Sequence, residues 1–291
     1  MKRAVKGLAI VAGAVGALAA VSCLLVAPRR RDEELRTRWE SLSRYRFAHR
    51  GLHDNQTPAP ENSLAAFQLA REWGYGSELD VHLTADGYLV VIHDSGLARA
   101  CGVEGIVEEK TLEELRELTL FGTQERIPTL EEVLETYENG EGACPPLVVE
   151  IKAHAGNQAE LTEKVMEELD AHDVPYCVES FDPRVLLWLR RNRPDVIRGQ
   201  LAEHFLQDES SELGLIQGTA AGALLFNVLS RPDFVAYRLE HRRHPAARLA
   251  CGPLGAWRVY WTVQDDDGLS EADARDAVSI FEGFHPTVLS E

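Results

Sequence analysis

Residues 76–94 read GSELDVHLTADGYLVVIHD, and the fold is read outward from this stretch. Glu78 and Asp80 stand two apart in a strand-like run, so they share one face, with Leu79 and Val81 on the other. Asp86-Gly87 separates two alternating segments, Glu78–Thr84 and Tyr88–His93, which is a hairpin signature. With those two residues as the whole loop, His93 falls opposite Asp80. The turn then delivers a histidine to a pair of carboxylates.

On either side of the hairpin, from residue 45 onward, short apolar runs alternate with helical patterns. That alternation argues for a parallel sheet with crossover helices. The expected strands are Tyr45–His49, Gly76–His82, Leu147–Lys152, Tyr176–Ser180, Val196–Leu201, Ala223–Asn227, Trp257–Val263 and Val278–Glu282. The expected helices are Ser63–Trp73, Thr129–Tyr137, Gln158–Asp170, Pro183–Arg191, Pro232–His241 and Ser270–Asp276, with the weakest pattern over Glu203–Thr219. Asp182-Pro183 and Arg231-Pro232 place proline at a first helical position. A short helix at Leu112–Leu118 belongs to an excursion over Ser95–Arg126. Eight strands make a (β/α)8 barrel over residues 45–291, a common size for that fold. A charged linker helix, residues 32–44, precedes it.

Leu8 to Ala27 is uncharged and long enough to span a hydrocarbon core, so residues 1–31 read as an N-terminal transmembrane helix with basic flanks. Ala20-Val21-Ser22-Cys23 faintly resembles a lipoprotein signal, but Leu24-Leu25-Val26 follow where a mature lipoprotein turns polar. Lys2, Arg3 and Lys6 on one side nearly balance Arg29, Arg30 and Arg31 on the other. Cys101, Cys144, Cys177 and Cys251 lie in no metal-like spacing. Scattered thiols lean toward a single-pass protein with its barrel on the cytoplasmic side. The net charge is −17 although the first 31 residues are purely basic. A body this acidic, without a stripe of Lys/Arg and aromatics, argues against nucleic acid as a partner.

Polar residues cluster at the ends of the expected strands: His49-Arg50-Gly51, Pro60-Glu61-Asn62, Glu78-Leu79-Asp80, His93-Asp94 and Glu150-Ile151-Lys152. Strand ends build the active sites of barrels. Glu78, Asp80 and Glu150 form an all-oxygen, charge-rich set, which suits one divalent cation, Ca²⁺ or Mg²⁺, better than zinc. Arg50 and Lys152 could instead simply neutralise the acids. Two histidines near such a group suit acid–base work, and the planar fork of Arg50 suits a phosphate.

These motifs, with Ala66-Phe67, Thr84-Ala85-Asp86-Gly87, the run Ile127–Leu134, Ser180-Phe181 and Trp261-Thr262-Val263, resemble the glycerophosphodiester phosphodiesterase family. The resemblance covers roughly residues 45–284. It implies hydrolysis of glycerophosphodiesters to glycerol 3-phosphate and an alcohol, through a cyclic phosphate. It implies His49 and His93 as acid–base residues, Glu78, Asp80 and Glu150 as metal ligands, and Arg50 and Lys152 as phosphate-binding cations. Glu61 and Trp261 would support the site. The segment Ile280–Pro286 departs from the family's usual Thr-Asp ending, and Gln264 replaces a common asparagine. An anchor also admits a lysophospholipid substrate, with lysophospholipase D-type chemistry. A non-catalytic, membrane-tethered binding protein would be expected to have lost one of these residues, and none is missing.

Overall fold

The computed structural model describes residues 21–140, 142–205 and 214–289. Its strands are β1 (Phe47–Ala48), β2 (Gly76–Leu83), β3 (Leu89–Val91), β4 (Leu147–Ile151), β5 (Tyr176–Ser180), β6 (Arg198–Ala202), β7 (Phe234–Arg238), β8 (Trp257–Val263) and β9 (Val278–Phe281). All but β3 run parallel. β1 pairs with both β2 and β9, which closes eight strands into a barrel, while β3 hangs antiparallel on β2.

The helices that concern the site and its support are α1 (Glu33–Leu42), α2 (Leu64–Glu72), α3 (Leu130–Glu138), α4 (Gln158–Asp170), α5 (Pro183–Asn192), α6 (Leu215–Gly222), α7 (Pro245–Cys251) and α8 (Asp266–Asp273). Local chemistry fixes several starts. Thr129 and Glu132 form a reciprocal capping box at α3, and Asp182 caps α5 ahead of Pro183. The outward residues Leu79, Val81, Val149 and Val178 pack with Val133, Leu161, Val165 and Leu186 of the helices in one buried cluster.

Helix α1 seals one end of the barrel. Leu35, Trp39 and Leu42 pack against Phe47, Val148, Cys177, Phe234 and Val259. Trp39 stacks on Trp257 with ring centroids 4.6 Å apart. With that end filled by apolar side chains, the C-terminal strand ends are left for polar chemistry.

The structure corrects four expectations. Ala223–Asn227 is not a strand: Leu224 adopts a left-handed backbone (φ 57°), and the segment is a turn between α6 and the short helix Asn227–Ser230. The strand at that position is β7, inside the stretch read as the helix Pro232–His241. Phe234 to Tyr237 are all buried, so the run lacks the polar alternation that marks a half-exposed strand. Its proline follows Arg231 in a left-handed backbone and leads into a strand; the proline that opens a helix is Pro245. Helix α8 begins four residues before Ser270, because Asp265 caps it by accepting from Gly268 N. The hairpin loop has three residues, since Thr84 N donates to Tyr88 O. The register therefore slips by one, placing Ile92 rather than His93 across from Asp80.

Most of the apolar run 8–27 lies outside the described residues. Residues 21–26 are helical. Among the described residues no helix is long and apolar enough to cross a membrane. Val26 is buried beside Tyr237 and Ala250, and Arg29 pairs with the buried Asp233 at 2.5 Å.

Candidate active site

The loop after β1 sets the first wall. Arg50 takes a left-handed backbone (φ 54°), which turns its N–H onto Glu78 Oε2 at 3.1 Å. Gly51 (φ 79°) lies so close to α2 that a Cβ would come within 2.8 Å of the Ala66 carbonyl carbon, so glycine is required there. The Arg50 side chain reaches Glu61 Oε1 at 3.0 Å and Asp80 Oδ2 at 3.6 Å. Asn62 donates to Asp80 Oδ2 at 2.8 Å.

The carboxylates come from adjacent strands. Asp80 on β2 is in register with Glu150 on β4, and Glu78 lies two residues before Asp80 on the same face. One oxygen from each of Glu78, Asp80 and Glu150 lies within 4.8 Å of the others, and all three side chains are buried. Lys152 Nζ sits 3.0 Å from Asp80 Oδ1 and 2.8 Å from Glu150 Oε2. Burial and the neighbouring acids push Glu78 well above the usual carboxylate range, and burial pushes Glu150 up to about 7. Burial opposes ionisation of Asp80 too, but Lys152, His93 and Arg50 overcome it and hold Asp80 low.

His49 and His93 stand on the flanks. His49 Nδ1 meets Glu282 Oε2 at 2.6 Å, while its Nε2 lies 3.9 Å from Glu78. Burial pulls the His49 pKa down to about 4. His93 Nδ1 meets Asp94 Oδ1 at 2.6 Å, and burial followed by Lys152 lowers its pKa. Arg99 ties Asp94 to Glu61, with 2.6 Å to Glu61 Oε1. Burial alone would raise Glu61, but the bond from Arg99 and the charge of Arg50 hold it near 2. A cavity of about 330 Å³ is lined by His49, Arg50, Glu78, His93, Glu150, Lys152 and Trp261. Trp261 is fixed by a bond from Nε1 to Ala236 O at 3.1 Å and by an edge contact with Phe181. All nine residues singled out in the sequence thus meet at one mouth.

The Glycerophosphoryl diester phosphodiesterase family matches residues 49–236, well over half of the chain. The chain belongs to that family. A glycerophosphodiester phosphodiesterase of Caldanaerobacter subterraneus subsp. tengcongensis is 52% identical over 96 residues, covering 31% of this chain and 38% of its own. One from Bacillus altitudinis is 39% identical over 134 residues, covering 43% and 51%. The aligned region thus spans about half or less of these two relatives. Among solved structures, an Oleispira antarctica phosphodiesterase in complex with the product sn-glycerol-3-phosphate superposes with a TM-score of 0.62 at 26% identity, covering 81% of this chain and 92% of that one. A glycerophosphodiester phosphodiesterase from Parabacteroides distasonis gives 0.61 at 26%, covering 82% and 91%.

Set within the glycerophosphoryl diester phosphodiesterase family, the departure at Ile280–Pro286 acquires a structural reading. Glu282 supplies the carboxylate that holds His49. Its placement one residue past β9 was the available signal. Two further residues, Glu179 and Arg99, join the site beyond those the sequence marks. Glu179 on β5 pairs in register with Glu150, is buried, and has an Oε2 without a hydrogen-bond partner among the described residues. An acid in the inward register of a strand was the clue. Arg99 comes from the excursion, where nothing in the pattern distinguishes it from a solvated arginine.

Proposed function

We propose that this chain hydrolyses glycerophosphodiesters to glycerol 3-phosphate and an alcohol with the help of one divalent cation, Ca²⁺ or Mg²⁺. The observation that carries this reading is the gathering of Glu78, Asp80 and Glu150 within 4.8 Å, with two histidines and two cations on the same small cavity. The residues fit such an ion: the donors are all oxygen, they are buried, and burial first, then the neighbouring acids, shift Glu78 and Glu150 upward. Glu78, Asp80 and Glu150 would hold the ion, which supplies charge neutralisation at phosphate oxygens and acidifies a nearby hydroxyl.

The chain's own groups then divide the work. The Arg50 guanidinium and the Lys152 ammonium grip the phosphate. His49, neutral at pH 7, donates Nδ1–H to Glu282 and leaves Nε2 facing the cavity as a proton acceptor. His93, held at Nδ1 by Asp94, presents its other nitrogen to protonate the departing alcohol oxygen. Asp94 steadies the charge His93 carries when protonated.

The test is release of alcohol from glycerophosphocholine, glycerophosphoethanolamine and glycerophosphoglycerol by the full chain. We expect activity that stops with chelator and returns with Ca²⁺ or Mg²⁺. No hydrolysis of any diester with either metal would overturn the reading.

A second reading has one observation in its favour. A cavity of about 530 Å³ is partly lined by Glu282, the partner of His49, and by Leu52, Leu69, Trp73, Phe281 and Phe284. It has room for an acyl chain, so lysophospholipids are proposed as alternative substrates. Preference for lysophosphatidylcholine over glycerophosphocholine would establish it. Membrane attachment through residues 8–27, with the barrel on the cytoplasmic side, is proposed with it. Protease protection of the barrel in sealed inside-out vesicles would count against that sidedness.

A further inference from the structure

We infer that a second anion site lies on the outer wall of the barrel, built from arginines that the catalytic reading does not use. It takes a phosphate-bearing ligand. The cavity is about 390 Å³, within the usual span for small-molecule sites of roughly 300–1,000 Å³. Arg242, Arg243, Arg248, Arg258 and Arg275 line it together with Tyr237 and Tyr260, and among the described residues no acid does.

Its position follows from strand pleating. Arg258 and Tyr260 are two apart on β8 and share the outward face; Trp261, the next residue, turns inward to the catalytic cavity. On β7 the neighbours divide the same way, Tyr237 outward and Arg238 inward. Helix α7 brings Arg248, the turn before it brings Arg242 and Arg243, and the chain after α8 brings Arg275. The barrel wall thus separates this cavity from the catalytic one.

Charge is what makes it a site. The molecule carries a net charge of −17, yet five guanidiniums meet here. Among the described residues only Glu271 answers them, pairing with Arg242 at 2.5 Å and Arg275 at 2.7 Å. Arg258 spends its terminal nitrogens on the carbonyls of Arg275 and Cys251. Arg243 and Arg248 are exposed on the rim and have no ion-pair partner among the described residues. Arg242 and Arg258 are therefore held in place, while Arg243 and Arg248 stand free to close on an anion. Guanidinium forks match phosphate oxygens in geometry as well as charge. The volume exceeds what a bare phosphate fills, so the ligand is a phosphate carrying an organic group. A soluble phosphomonoester and an anionic phospholipid headgroup share that chemistry.

The test titrates the detergent-solubilised full chain calorimetrically. The ligands are phenyl phosphate, and dihexanoyl phosphatidylglycerol with dihexanoyl phosphatidylcholine as the zwitterionic control. Wild type is compared with R243Q/R248Q, R243E/R248E and R50A, and glycerophosphocholine turnover is measured in parallel. Binding that persists in R50A and weakens roughly tenfold or more in R243Q/R248Q, with turnover unchanged in that pair, is the expected result. If only phosphatidylglycerol behaves so, the source is a lipid headgroup; if phenyl phosphate does, it is a soluble monoester. If R243E/R248E does not fold, the glutamine pair decides alone. Wild-type affinity for both ligands in R243Q/R248Q, or binding wholly lost in R50A, would overturn the assignment and leave a solvated arginine cluster.

Discussion

At the residue scale, the two histidines differ in how they are held, and that difference can be measured. His49 is anchored by Glu282 from the last strand, His93 by the residue that follows it in sequence. Replacing either with alanine should lower turnover by roughly 10²–10⁴ while leaving the fold intact, because neither supports the apolar clusters. Full activity in H49A or H93A would remove that residue from the mechanism. Glu282 acts through His49, so its variants should be graded: E282Q keeps an acceptor for Nδ1–H but loses the charge, whereas E282A loses both. We expect kcat to fall in the order wild type, E282Q, E282A, with KM changing less and the pH profile on the acidic limb displaced. An E282A enzyme with wild-type kcat and pH profile would leave Glu282 as a mere wall of the adjoining cavity. Eight of the nine site residues are legible in the sequence because polar groups at or just beyond strand ends are costly unless used, whereas Trp261 follows only from the family resemblance. Arg99 is not, since it looks like any solvated arginine until the barrel closes, and Glu179 shows itself only as an acid in the inward register of β5.

At the scale of elements, legibility followed burial and turn chemistry. β2, β4, β5 and β8 stood out as bounded apolar or alternating runs, and α3 announced itself through Thr129 and Glu132. β7 did not, because its neighbour Ala223–Phe226 is equally apolar and Arg231-Pro232 imitates a helix start. The hairpin loop is one residue longer than Asp86-Gly87 suggests, yet His93 still reaches the cavity because β3 ends at Val91 and the chain leaves the ladder. Helix–helix joints offer a pH test. His172, after α4, bonds to Glu138 of α3 at 2.9 Å and lies 3.4 Å from Glu168 of α4. Burial would lower its pKa, but the two glutamates win and raise it above the ordinary 6.5. A raised folded-state pKa stabilises fully below about 6.5 and ceases to do so as pH rises through the folded value. Urea midpoints of wild type and H172Q should therefore differ most near pH 6 and converge at alkaline pH. A gap that widens with rising pH would contradict the pairing.

For the whole molecule, the barrel carries a destabilising feature at its mouth that a cation should relieve. Three carboxylates within 4.8 Å of one another are buried as well as mutually repelling, and despite Arg50 and Lys152 that burial, with the repulsion behind it, keeps Glu78 and Glu150 shifted upward. A ligand that binds the folded chain and not the unfolded one stabilises it by RT ln(1 + [L]/Kd), about 2.7 kcal/mol at a hundredfold excess over Kd. Adding Ca²⁺ or Mg²⁺ to chelator-treated protein should accordingly raise the thermal midpoint by several degrees, on the order of 2–4 °C per kcal/mol for a chain of this size. The sign reverses for the variant that removes the repulsion. E78Q leaves an amide where a strained carboxylate stood, so the metal-free variant should melt at or above metal-free wild type, yet gain little from either ion. Loss of the metal-induced rise alone could reflect a damaged site. Its combination with an unchanged or higher metal-free midpoint is specific to a carboxylate whose place in the fold is justified by a cation. A metal-free E78Q midpoint well below wild type, or a full metal-induced rise in that variant, would show that Glu78 serves the fold through Arg50 rather than an ion.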